Sequence, residues 1–306
     1  MRFVGRTKRV VRRAASTSLL LLRALAADIH ARSKRGPGLE FSSFGRRLGI
    51  RLLRHDRSAA LSLLLVPVNI VRYWEFPFVA RHLEKPVGDC LDVASPRLFS
   101  YFVAARMRPA SIRIINPDSR DARLTENHAA RFGLTSIEVD PLPVSAIAGR
   151  LARYDHIWSI SVLEHIPGEG DHEAIQTLWQ ALRGGGRLLI TVPVDRTAWD
   201  EFRDHDVYQT GVPREARGYF FQRWYDEAAI HRRLLGGIDS ASVDIEWFGE
   251  RVPGHFASYE RAWIERGYRT TVEDPREIVD HYSRYRNWVD MPGRGVAGIA
   301  ITKAAA

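Results

Sequence analysis

From about Lys85 onward, short apolar, strand-like runs alternate with stretches in which apolar residues recur every three or four positions. This alternation constrains the fold more than any other feature, because strands joined through helices run parallel in one covered sheet. The clearest piece runs from Ala174 to Val192. Ala174, Ile175, Leu178, Trp179 and Leu182 recur at helical spacing, Gly184 to Gly186 are expected to end that helix in a left-handed cap, and Arg187–Val192 reads as a strand. Upstream, Cys90–Val93, Ser111–Asn116, Ser136–Val139 and Ile157–Ile160 read as four strands, with a helix over Leu98–Met107 after the first. Ser242–Phe248 and Gly295–Thr302 bring the expected sheet to seven strands.

Charge divides the chain. Its 306 residues carry 45 Lys+Arg against 36 Asp+Glu, a net +9. Residues 1–57 hold 15 of those bases and 3 of the acids, a net +12, which leaves −3 for residues 58–306. The basic excess therefore belongs to an N-terminal arm, and a near-neutral globule follows. The expected partition is a basic, helical arm over 1–57, an aromatic-rich lead-in over 58–84 and the main domain over 85–306. Tyr73, Trp74, Phe76 and Phe78 in the lead-in are expected to cover the edge or mouth of the sheet.

No targeting segment is expected. Arg12 and Arg13 precede Leu19–Leu22, but Arg23 breaks that apolar run, and an export signal needs about 7–15 apolar residues. Ala59–Val71 contains Ser62, Pro67 and Asn69 and falls short of the ~20 residues that span a bilayer. The lone Cys90 cannot form an internal disulfide, so it is expected to be inert core in a cytoplasmic protein. The helix-permissive stretch from Arg12 to about Ala31, stopped by Gly36-Pro37-Gly38, suits two uses. It would lie on an anionic membrane surface, making the protein peripheral at a membrane's inner face, or pack on the main domain.

In open parallel sheets, ligands bind at the carboxyl ends of the strands, so the residues just after each strand are the candidates. Asp92 closes the first strand, and Ala94-Ser95-Pro96 follows, with Ser95 placed to cap the next helix and Pro96 suited to its first turn. A helix start offers N–H groups to an anion and Asp92 offers an acceptor to a cation, a pairing that suits an amino-acid ligand. The turn contains no glycine, which argues against a dinucleotide's pyrophosphate.

Four stretches carry a family resemblance: Leu91-Asp92-Val93-Ala94-Ser95, Ile114-Ile115-Asn116-Pro117-Asp118, Asp140-Pro141-Leu142-Pro143, and Tyr154 to Pro167 with its Ser161-Val162-Leu163-Glu164-His165 core. With Leu182 to Pro193 behind them, they resemble the class I S-adenosylmethionine-dependent methyltransferases of the small-molecule type. The resemblance covers residues 85–195 well, fits 240–303 loosely and leaves 1–80 unmatched. It implies a Rossmann-like, seven-stranded, mostly parallel α/β sheet with helices on both faces, and S-adenosyl-L-methionine as cofactor.

Carried over by position, Asp92 with the backbone of Ala94 and Ser95 would hold the methionine moiety. Asn116 would meet the ribose, with Asp118 as the alternative acceptor. Asp140 would meet the adenine amino group, and Ser159 would border the amino-acid end. The family's glycine-rich turn has become Ala94-Ser95-Pro96 and its acidic ribose ligand has become Asn116. Loss of those glycines is expected to remove positive-φ conformations from the turn. For a hydroxyl acceptor a base is also needed: His165 is the first candidate and Glu164 the second, against the reading that the pair only fixes local structure.

Beyond the fifth strand, Arg203-Asp204-His205-Asp206-Val207-Tyr208 would supply a base or metal ligand, or form a polar surface turn, the favoured reading. Phe220, Phe221, Trp224 and Tyr225 would wall an apolar acceptor pocket or pack an inserted helix on the sheet. Glu164, His165, Asp171 and His172 match no recognised metal spacing, and no metal is expected. The function expected is methyl transfer to an oxygen or nitrogen of a small-molecule, lipid or glycan-type acceptor. A non-catalytic binding or scaffold protein on the same fold is the alternative. A nucleic-acid methyltransferase ranks third, because no interleaved aromatic and basic pattern surrounds the strand ends.

Overall fold

The computed structural model describes residues 2–207, 211–267 and 271–305. The chain forms two compact units. Met1–Trp74 with Ser258–Tyr282 make the first, and Glu75–Ala257 with Ser283–Ala306 make the second.

The first unit is helical. α1 (Arg2–Ser33), α2 (Leu39–Leu52) and α3 (Arg57–Leu65) are joined by short turns, and the unit takes in the start of α4 (Arg72–Arg81). Gly38, at φ +70°, opens α2, and a Cβ there would stand 2.3 Å from the Tyr73 carbonyl oxygen, so only glycine fits. Asp56 caps α3 by accepting from the Ala59 N–H at 3.0 Å. Phe41, Phe44, Leu48, Leu52, Ala60 and Tyr73 form its buried side. Hydrogen bonds from Arg23 to Glu273 (2.9 Å) and between His30 and Asp280 (2.8 Å) tie α1 to the returning segment 258–282. On the outer side of α1, Leu19, Leu22, Leu25 and Ile29 are all exposed. Among the described residues no helix is long and apolar enough to cross a membrane.

The second unit is built on an eight-stranded sheet. In chain order its parallel half is β1 (Asp89–Val93), β2 (Ser111–Ile115), β3 (Ile137–Asp140), β4 (Tyr154–Ile160) and β5 (Leu182–Val194). α5 (Arg97–Arg106), α6 (Ser119–Phe132) and α7 (Gly170–Ala181) lie between successive strands. After β5 come β6 (Trp199–Arg203), β7 (Arg214–Glu215) and β8 (Gly218–Trp224), a separate three-stranded sheet in the order β6-β8-β7. The chain then runs through α8 (Glu227–Ala229), β9 (Ser240–Glu250), α9 (His255–Glu265), α10 (Asp274–His281), β10 (Tyr282–Tyr285) and β11 (Gly295–Lys303). The large sheet has the order β10-β9-β11-β5-β4-β1-β2-β3. β1, β2, β3, β4 and β5 pair in parallel, and β11 runs antiparallel to β5 and β9. The expected α/β class and mostly parallel sheet are those observed, with β10 as an eighth strand at the edge. Four residues and no apolar run give β10 too little pattern to show in the sequence.

Two local expectations are corrected. α7 ends at Ala181 and its C-cap Leu182 is already extended. Gly184 to Gly186 therefore lie inside β5, where Gly185 has φ +76° and a Cβ on Gly186 would stand 2.8 Å from the Asp155 carbonyl oxygen. Gly186 serves a close approach between strands and Gly185 a positive φ, and neither is a helix stop. Phe220, Phe221 and Trp224 lie on β8, so no inserted helix carries them. All three are buried with Tyr225. The lead-in aromatics within this unit cover the sheet: Phe78 sits so close over Gly298 of β11 that a Cβ there would lie 2.7 Å from its ring. Phe76 meets Phe99 at 5.4 Å, and Phe99 meets Trp158 of β4 edge-on at 5.5 Å.

Candidate functional site

The carboxyl ends of β1, β2, β3 and β4 converge, and the turn after β1 sits among them. Ala94 takes φ +47° although it carries a Cβ. The expectation that losing glycine removes the positive-φ conformation is thus corrected: the turn keeps it, at about 1–2 kcal/mol of strain. What holds it is hydrogen bonding. The Ala94 N–H donates to the Ile115 carbonyl at 2.8 Å, the Ser95 N–H to Asp92 Oδ1 at 2.9 Å, and the Ile160 N–H to Ser95 Oγ at 3.0 Å. Ser95 is therefore not the helix cap it was expected to be. Pro96 stands at the N-cap of α5 with no side-chain bond, and the serine hydroxyl instead fastens the turn to the end of β4.

Asp92 is fully buried. Oδ1 takes the Ser95 N–H, and Oδ2 is bonded by the Ser100 hydroxyl of α5. Burial pushes its carboxyl above the usual aspartate range, and bonds from Ser100 and Ser95 oppose that shift. Ser159, on the neighbouring strand β4, is also fully buried, and its Oγ has no hydrogen-bond partner among the described residues.

The ends of β2 and β3 are more open. Asn116 Nδ2 donates to Asp121 Oδ2 at 2.9 Å, and Asn116 Oδ1 accepts from the Asp118 N–H at 2.9 Å. Asp118 spends Oδ1 on capping α6, accepting from the N–H groups of Arg120 (2.8 Å) and Asp121 (3.3 Å). Asp140 lies beside Asn116, whose N–H reaches its carbonyl at 3.0 Å, and its carboxylate pairs with Arg113 at 2.5 Å. Asp121 also pairs with Arg97. Sequence reading missed Asp121, although its place in the first turn of a capped helix puts it beside the end of β2.

After β4, Ser161 also has φ +47°, and its hydroxyl donates to Glu75 Oε1 at 2.5 Å. The Thr191 hydroxyl of β5 donates to the same oxygen at 2.8 Å. Glu75, fully buried on α4, therefore sits at the carboxyl ends of β4 and β5, 86 residues before Ser161 in sequence. No local pattern announces it.

Glu164 and His165 follow in a short 3-10 turn. His165 Nδ1 lies 2.7 Å from the Phe221 carbonyl, and since a carbonyl only accepts, Nδ1 carries the proton. Its Nε2 lies 3.8 Å from Glu164 Oε1. The Phe221 ring lies tilted against the imidazole, centroid to centroid 5.4 Å.

The remaining candidates are structural or exposed. Asp171, fully buried, accepts from Arg223 Nη1 (2.7 Å), Arg233 Nη2 (2.7 Å) and the Tyr225 hydroxyl (2.8 Å). Burial alone would raise its carboxyl, but bonds from Arg233, Tyr225 and Arg223 outweigh it and hold it below the usual range. His172 Nδ1 meets the Arg233 carbonyl at 3.0 Å. Arg203 turns inward over the Phe221 ring at 4.9 Å, and His205 pairs with Asp204 at 2.5 Å on an exposed turn. Tyr208 lies outside the described residues. His82, Asp244 and Glu246 approach one another, but Glu246 is already paired with Arg81 and Arg284.

No family model matches the chain, and no curated protein matches it. Solved structures do resemble it. Coclaurine N-methyltransferase, bound to N-methylheliamine and S-adenosylhomocysteine, is 15% identical, with 74% of this chain and 69% of that one covered at a TM-score of 0.49. A candidate sarcosine dimethylglycine methyltransferase from Galdieria sulphuraria is 15% identical over 81% and 88% of the chains, at 0.48. The [4+2]-cyclase SpnF is 17% identical over 71% and 75%, at 0.43. With likenesses this distant, the reading of function rests on the strand-end residues themselves.

Proposed function

We propose that the second unit is an S-adenosylmethionine-dependent methyltransferase domain, acting on an oxygen or nitrogen of a small-molecule, lipid or glycan-type acceptor. The observation that carries this reading is the left-handed turn at Ala94, kept without glycine, beside the acceptor-rich ends of β2 and β3. Asn116 and Asp140 fit the nucleoside half of the cofactor: both are partly exposed, and between them they offer a ribose diol and an adenine amino group their acceptors. The amino-acid half fits less well. Asp92 is enclosed with both oxygens engaged, so it offers no acceptor to an ammonium group in this arrangement.

When bound, the cofactor would supply an electrophilic methyl group. His165, oriented through Nδ1 by the Phe221 carbonyl, would accept a proton at Nε2, and Glu164 would stabilise the imidazolium so formed. The lipid-type acceptor and an anionic membrane surface are proposed from the first unit, where Leu22, Leu25 and Ile29 stand exposed near Arg23 and Arg32. The enclosure of Asp92 favours a second reading, a non-catalytic binding protein on the same fold.

Titration calorimetry with S-adenosylmethionine and S-adenosylhomocysteine separates the two. Micromolar binding of either, weakened at least tenfold by Asn116→Ala, is expected. No binding at millimolar ligand removes the enzyme reading. For the membrane, Leu22→Ser/Leu25→Ser/Ile29→Ser is expected to abolish sedimentation with phosphatidylserine vesicles, and unchanged pelleting would remove that proposal.

A further inference from the structure

At the opposite, amino edge of the same sheet lies a cavity of about 450 Å³. It is bordered by the starts of the strands: Asp89 of β1, Ser111 and Arg113 of β2, Glu138 of β3, Tyr154 of β4 and Arg183 of β5. The turn Arg150-Leu151-Ala152-Arg153 closes its remaining side. Four guanidinium groups thus face two carboxylates.

The four are not equivalent. Arg113 pairs with Asp140, and Arg183 bonds Asp155 at 2.7 Å and Asp89 at 3.2 Å. Arg150 and Arg153 make no side-chain hydrogen bond or ion pair with any described residue. Unpaired arginines usually trail into solvent from mobile backbone, but this turn is pinned. The Arg150 N–H donates to the Ile147 carbonyl (3.1 Å), the Ala152 N–H to that of Gln180 (3.0 Å) and the Arg153 N–H to that of Ala181 (2.8 Å). Ala152, at φ +47°, is a third alanine or serine held in the left-handed region of this unit. Such strain persists where the surroundings over-determine it, and it collects at binding sites.

A second, independent observation points to a ligand. Tyr154 lines the cavity and is buried, with 2% of its surface exposed, yet its hydroxyl has no hydrogen-bond partner among the described residues. An unsatisfied buried hydroxyl costs about 1–3 kcal/mol, and buried polar groups are ordinarily bonded. Leu151 stands at the rim with 67% of its surface exposed, an apolar face beside the two free charges.

The geometry points to a binding site for a small phosphorylated molecule at this amino edge, with Arg150 and Arg153 on the phosphate oxygens, Tyr154 as a hydroxyl donor and Leu151 against the apolar body. Guanidinium forks match phosphate oxygens in pairs, and a cavity of 300–1,000 Å³ is the size of ordinary small-molecule sites. The site lies at the other end of the strands from the proposed cofactor, so it stands whether or not that reading holds.

Inorganic pyrophosphate and adenosine diphosphate, titrated into the full chain at 150 mM salt, are the probes. Saturable binding of one equivalent is expected. Arg150→Gln/Arg153→Gln should weaken it at least tenfold, and Tyr154→Phe several-fold, with each variant's melting temperature preserved as proof of folding. Tighter binding of the diphosphate nucleoside than of pyrophosphate would assign Leu151 its partner, and Leu151→Ser should then erase the difference. Failure of both probes to bind at 5 mM overturns the proposal. So does equal binding by the folded double variant, which would place the anion on the basic helices of the first unit.

Discussion

The two edges of one sheet are built on opposite principles. At the carboxyl edge, polar side chains bond one another. Asp92 is closed by Ser95 and Ser100, Glu75 collects two hydroxyls from β4 and β5, and Asn116 is held by Asp121 and Asp118. At the amino edge, two arginines border a cavity beside the buried Tyr154, and neither they nor the tyrosine hydroxyl has a side-chain partner among the described residues. A strand-end motif therefore says where chemistry can sit, and not whether its groups are free. Asp92 and Glu75 should respond to substitution through stability, and the amino edge only through binding.

The largest effect is expected at Asp92. Asp92→Ala leaves the Ser95 N–H and the Ser100 hydroxyl without a buried acceptor, so it should cost about 2–4 kcal/mol in urea unfolding. A loss below 0.5 kcal/mol would show that the edge is not closed by this carboxylate. Asp92→Asn sharpens the test through pH. A carboxyl raised in the folded state contributes stability that is complete below the unfolded value near 4 and is lost as pH rises through the raised value. The neutral amide has no such loss, so Asp92→Asn should gain on the wild type between pH 4 and pH 8. A constant difference across that range would mean the shift is absent.

A smaller effect is expected at Ala94. Glycine removes the left-handed penalty while adding unfolded-state entropy, so Ala94→Gly should change stability by no more than about +1 kcal/mol, whereas Ala94→Val should destabilise by more than 1 kcal/mol. If valine were tolerated, the turn would not hold its positive φ. The smallest effect belongs to the open edge: Arg150→Gln/Arg153→Gln should leave unfolding within about 0.5 kcal/mol of wild type, since neither guanidinium bonds any described residue. A larger loss would erase the contrast between the edges.

The strands of the parallel half were legible in the sequence to within about five residues, because each carries β-branched or apolar residues framed by turn residues. β10 and the two-residue β7 were not, since such short polar strands carry little periodic signal, and the Tyr219-Phe220-Phe221 run of β8 suits a packed helix as well as a strand. The site was legible by position and not by bonding. Asp92, Asn116 and Asp140 lie at strand ends as their spacing implies, but Ser95's bond to β4 and Glu75's reach to Ser161 and Thr191 depend on tertiary placement across 65 to 116 residues. Ala94 shows a further limit. Its residue type argues against a left-handed turn, and only the surrounding bonds reveal that the backbone takes one.

The first unit closes with residues 258–282, which reach it after the whole parallel sheet has been made. On a ribosome adding about 5–20 residues per second, the roughly 200 residues between Trp74 and Tyr282 take on the order of 10–40 s. For that time the leucine-bearing helices emerge without their last two partners, while the sheet behind them can already begin to form. Synthesis thus separates the first helices from the segment that completes their unit, and both units wait for residues made after the parallel strands.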